Sequence, residues 1–104
     1  MTARVKRFHF TARGKVQGVF FRKNTAKKAS ELRLRGFVQN EDDKRAVTGC
    51  VEGLEAQLDE FRQWLHRGPR RAKVEDVKFE ETLGKLLHGI DGFVVLRGEE
   101  RRWK

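Results

Sequence analysis

Between positions 5 and 13, apolar and polar residues alternate: Phe8, Phe10 and Ala12 against His9, Thr11 and Arg13. That period predicts a half-buried first strand with its phenylalanine face inward. From Phe21 the spacing changes. Phe21, Thr25, Ala29 and Leu32 recur at i, i+4, i+8 and i+11, one stripe of a helix. Lys23, Lys27 and Lys28 fall mostly off that stripe and should face water. Gly36 interrupts the helix, and Phe37-Val38-Gln39-Asn40 opens a second strand. After the polar turn Glu41-Asp42-Asp43-Lys44-Arg45 comes a third strand. Its Val47, Gly49 and Val51 share one face and Thr48, Cys50 and Glu52 the other.

Leu54, Leu58, Phe61 and Leu65, widened by Trp64, mark a second helix. Glu55 suits its first turn, and His66-Arg67-Gly68-Pro69 supplies C-terminal charge, a stop and a breaker. Val74 to Phe79 reads as strand four and Phe93 to Arg97 as strand five, across a glycine-containing loop. The order β-α-β-β-α-β, with two crossovers of similar length, predicts an α+β split β-α-β sandwich. Two helices would cover one face of an antiparallel sheet. All 104 residues then form one domain, with a core over about 5–97 and a charged tail at 98–104.

Charge sharpens this picture. The net +9 is lopsided: residues 1–40 hold eleven Lys/Arg against Glu31 alone, whereas 41–104 hold thirteen against fourteen acids. The whole excess therefore sits in the first half and attracts anionic partners, a small phosphorylated molecule or nucleic acid. The single Cys50 cannot close an internal disulfide, which points to a reducing compartment, the cytoplasm. Residues 1–20 lack the apolar core of a signal peptide, and no apolar run approaches the ~18 residues of a membrane span. No exposed apolar stripe calls for a partner subunit, so a monomer is expected.

Within the basic half, Gly14-Lys15-Val16-Gln17-Gly18-Val19-Phe20-Phe21-Arg22 leads from strand to helix. Two glycines four apart permit positive φ and leave no Cβ between backbone and ligand. Such a turn at a helix N-terminus aims unpaired N–H groups outward, an anion cradle, and Arg22 sets a permanent planar cation at its edge.

Several reaction plans are missing. No Gly-Lys-Ser/Thr completes a Walker pattern. His9, His66 and His88 are far apart and lack ligand neighbours at metal spacing. Cys50 lies mid-strand, where packing is its expected role, and Asp42 and Asp43 are turn residues. A phosphate cradle without acid, base, nucleophile or metal restricts the substrate. Expelling an alkoxide from a phosphate ester calls for an acid or metal. Expelling a carboxylate, whose conjugate acid has a pKa of about 4, does not. Positioning and charge neutralisation remain.

The nonapeptide above, followed by Gly36-Phe37-Val38-Gln39-Asn40, resembles the two signatures of the acylphosphatase family. The likeness runs from about Phe8 to Arg97 and includes Lys28-Ala29-Ser30-Glu31-Leu32 and Gly53. It implies a ferredoxin-like fold, no cofactor or metal, and hydrolysis of a carboxyl-phosphate bond. The expected ligands are a small acyl phosphate or inorganic phosphate. By the same resemblance the amides of Lys15, Val16, Gln17, Gly18, Val19 and Phe20, with Arg22, bind phosphate, and Asn40 orients the attacking water. An amide side chain can both donate and accept.

One departure is the glycine-free turn Glu41-Asp42-Asp43-Lys44-Arg45-Ala46, a residue longer than the family's usual glycine-containing one. A slip there would reverse side-chain faces. Asn40 precedes the turn and is expected to keep its place.

Two other readings compete. One is a basic RNA- or DNA-binding module without hydrolase activity, for which Arg35-Gly36-Phe37-Val38 supplies a single aromatic where stacking needs more. Nucleic acid is accordingly the disfavoured partner. The other is a catalytically weak relative kept for partner contact.

Overall fold

The computed structural model describes residues 5–16, 20–41, 45–82 and 92–96. They form β1 (Val5–Lys15), α1 (Phe21–Glu31), β2 (Arg35–Asn40), β3 (Ala46–Leu54), α2 (Glu55–Arg67), β4 (Lys73–Glu81) and β5 (Phe93–Val95). The sheet order is β4-β1-β3-β2-β5. Four strands pair antiparallel as the pattern predicts. The edge strand β5 adds parallel to β2, Phe37 opposite Val94, so the sheet is mixed. The tail at 98–104, Arg97 and the glycine-containing loop at 83–91 lie outside the described residues.

Alternation sorts the side chains as expected. Phe10 and Ala12 of β1, Val38 of β2, and Val47 and Val51 of β3 are buried together under the helices. From α1 come Phe21, Thr25 and Ala29, and from α2 Leu58, Phe61 and Leu65. Each such Leu or Phe contributes about 1.5–3 kcal/mol by leaving water. Phe61 is the hub, meeting Phe10 edge-on at 5.4 Å and Phe93 at 6.0 Å. α1 packs over β2 and β5, and α2 over β4, β3 and β1.

Three local readings need correction. Gly36 does not break the chain between elements: it lies inside β2, where a Cβ would collide with the Cys50 carbonyl across the ladder. Leu54 belongs to β3 rather than to the helix stripe; it is the N-cap of α2 and 40% exposed. β1 runs two residues further than its alternation suggests, to Lys15.

On the face away from the helices, Phe37 packs with Leu96, Cys50 and Val94. Burial pushes the Cys50 thiol up, Arg7 opposes that shift and Glu52 adds to it. Thr48 accepts or donates to both Thr11 Oγ1 (3.3 Å) and His9 Nε2 (3.1 Å) across the strands, and Glu52 is ion-paired to Arg35 at 3.3 Å.

Candidate active site

β1 and β2 flank β3 and both run antiparallel to it, so their C-terminal ends lie at the same end of the sheet. Ala12, Val47 and Asn40 form one row across the three strands, on the helix-facing side. At the usual strand spacing Asn40 stands about 10 Å from β1. The 41–46 turn does not disturb this. Register runs unbroken from Arg35–Glu52 to Asn40–Val47, and the Glu41 N–H donates to Ala46 O at 3.0 Å. The pairing is thus closed through Glu41 and Ala46, and Asp42, Asp43 and Lys44 lie outside the described residues.

The exit of β1 is shaped by its neighbour. Register with β4 shifts between Arg13 and Gly14, so that Glu75 has no partner on β1. Such a bulge re-aims a strand. Gly14 is needed there: its φ is +132°, and a Cβ would run into the Lys73 carbonyl. Its N–H donates instead to Arg45 O at 2.9 Å, tying the exit to the base of the β2–β3 hairpin.

Both feet of the following loop stand in the core. Val16 and Phe21 are each 1% exposed. Lys15, between bulge and core, is exposed. Phe20 adopts a left-handed conformation (φ 57°, ψ 30°) as the N-cap of α1. Its carbonyl accepts from the Asn24 N–H at 3.0 Å and from Asn24 Nδ2 at 2.9 Å. Gln17, Gly18 and Val19 lie outside the described residues.

α1 begins without a side-chain cap and without an acidic residue in its first turn. Its leading N–H groups and positive dipole end are accompanied by Arg22 and Lys23. Arg22 is half-buried and has no ion-pair partner among the described residues. The other titratable candidates are elsewhere. His9 and Cys50 lie on the opposite face of the sheet, His66 is in the last turn of α2, and His88 lies outside the described residues. Among the described residues no three of His, Cys, Asp or Glu gather as metal ligands would.

A family model for acylphosphatase matches residues 8–95. This chain belongs to the acylphosphatase family. An acylphosphatase of Pseudomonas paraeruginosa is 45% identical over 89 residues, which is 86% of this chain and 93% of the relative. The solved acylphosphatase of Coxiella burnetii is 36% identical and superposes with a TM-score of 0.80, covering 88% of this chain and 93% of that one. That of Bacillus subtilis is 30% identical, with a TM-score of 0.79 over 89% of this chain and 99% of that one. The fold is accordingly the ferredoxin-like α+β sandwich, and the activity is hydrolysis of acyl phosphates, with a small acyl phosphate or phosphate as ligand.

A nucleic-acid module is not favoured. The aromatic that such a reading relies on, Phe37, does face the open side of the sheet but is 1% exposed, covered where a base would have to stack. No helix among the described residues is long and apolar enough to cross a membrane.

Two features of the site escaped the sequence. The bulge depends on Glu75, sixty residues beyond the loop it aims, and only the doubled glycines hinted at a strained exit. The exposure of Phe20 was hidden because a phenylalanine in an apolar run reads as core.

Proposed function

We propose that the 15–20 loop amides and the Arg22 guanidinium hold the phosphoryl group, while Asn40 orients the water that attacks it. The observation that carries this reading is the shared sheet end. The exit of β1, the uncapped start of α1 and the last residue of β2 converge there. Arg22 can meet two phosphoryl oxygens in a bidentate fork. The Asn40 amide can accept a water proton and aim the oxygen in line with the scissile P–O bond. Water adds to phosphorus as the bond to the acyl oxygen breaks. The carboxylate leaves without a proton, and the water's protons pass to phosphate and solvent. Arg, Asn and backbone amides keep one protonation state through the cycle, so the reaction needs neither a metal nor a titrating group.

The enzyme is further proposed to be a metal-independent monomer of the cytoplasm, the compartment being supported by the lone free Cys50. The test is hydrolysis of benzoyl phosphate with chelator present, by the wild type and Asn40→Ala. Loss of one positioned polar donor lowers rates roughly 10²–10³-fold in other enzymes. The variant should lose kcat on that scale while inorganic phosphate still inhibits with unchanged affinity. Parallel loss of rate and phosphate affinity would remove Asn40 from the water.

A further inference from the structure

Phe20 is 72% exposed, in a left-handed conformation that suits glycine better than a bulky side chain. Burial does not explain its ring, and the two hydrogen bonds from Asn24 hold its backbone still. The Lys23 ammonium lies 5.9 Å from the ring centroid. From Phe20 an open groove of about 600 Å³ runs along the outer face of α1, lined by Lys23, Asn24, Ala26, Lys27 and Ser30. Among the described residues that lining holds two cations and no acid. Lys28, one position on, is spent on Glu60 at 3.3 Å, whereas Lys23 and Lys27 have no ion-pair partner among the described residues.

We propose that this groove is the acyl subsite and that it selects acyl phosphates carrying a second anionic group. The inference rests on the phosphate site proposed above. In-line displacement puts the leaving carboxylate on the far side of phosphorus from the attacking water. The water comes from Asn40 on the sheet, so the acyl group departs toward the outer face of α1, where Phe20 begins the groove. Its carbon chain lies on the Phe20 ring and its far charge meets Lys23. Lys23 follows Phe20 by three residues, ~4.5 Å of helix rise, which a four-carbon acyl chain can span. Two cations with no acid among the described lining residues call for a negative occupant.

The experiment compares kcat/KM for succinyl phosphate and butyryl phosphate, chains of equal length that differ in the terminal carboxylate. The wild type should favour succinyl phosphate, and the preference should fall as salt rises. Lys23→Gln should reduce the ratio about threefold to fivefold, the scale of a solvent-exposed ion pair, and Lys23→Glu by about tenfold. Lys78→Gln, an exposed cation on β4, should leave it unchanged. If Arg22→Ala is inactive but the ratio is the same in Lys23→Gln as in the wild type, the acyl subsite is wrong and the phosphate site stands. An equal fall in Lys78→Gln would reduce the effect to the overall field and overturn the subsite as well. If Arg22→Ala turns over both substrates normally, the phosphate site is misplaced and the subsite falls with it.

Discussion

The two helices pack on the same sheet yet begin in opposite ways. α2 starts with Glu55 in its first turn, ends with His66 and Arg67, and stops at Gly68, whose N–H donates to Trp64 O at 2.7 Å. Glu55 at its start and Arg67 at its end complement the helix dipole. α1 starts on a left-handed phenylalanine, with Arg22 and Lys23 where α2 has an acid. Cations at that end oppose the dipole by about 0.3–1 kcal/mol each. On the function proposed above, the difference separates a helix built for stability from one whose N-terminus is kept for an anion. By that proposal, an arrangement unfavourable in the empty protein becomes favourable once a phosphate arrives.

The sharpest way to break this contrast is Arg22→Ala. If α1's first turn exists for the anion, turnover of benzoyl phosphate should fall by roughly 10³-fold or more, as when a transition-state arginine is lost elsewhere. Chemical denaturation should report an unchanged fold. A variant retaining a tenth of the rate would make α1 as structural as α2. Phe61→Ala probes the other side. Emptying the hub under α2 should cost about 3–5 kcal/mol in urea unfolding, yet kcat per folded molecule should stay within about twofold. The smallest effect is the ligand's own. Inorganic phosphate at a hundred times its Kd should stabilise the wild type by about 2.7 kcal/mol. Scanning calorimetry should find that gain in Phe61→Ala and not in Arg22→Ala.

How much of this could be read from the chain depends on how local each cause is. Alternation over Phe8–Ala12 and the 3.6-residue stripe from Phe21 fix strand and helix because each face buries its own neighbours. The faces of β3 were equally plain, Thr48, Cys50 and Glu52 opposite Val47, Gly49 and Val51. Gly36 and Leu54 were misplaced because their environments come from other elements, the Cys50 carbonyl for one and the end of β3 for the other. The parallel pairing of β5 is likewise a tertiary event, three residues long and without a signal of its own. At the site, Arg22 and the glycines announced an anion, but Asn40 acquired a role only through family resemblance, since an asparagine at a strand end is ordinary turn chemistry. The hairpin at 41–46 kept its register because the ladder closes through Glu41 and Ala46 before the unusual residues begin.

Val16 and Phe21, the two feet of the proposed phosphate loop, stand in the same apolar cluster as Phe61 and Val38. On the site proposed above, grip on the substrate therefore depends on the integrity of the interior beneath those two feet. As the chain is heated, catalytic competence should fade along the same curve as its native spectroscopic signal.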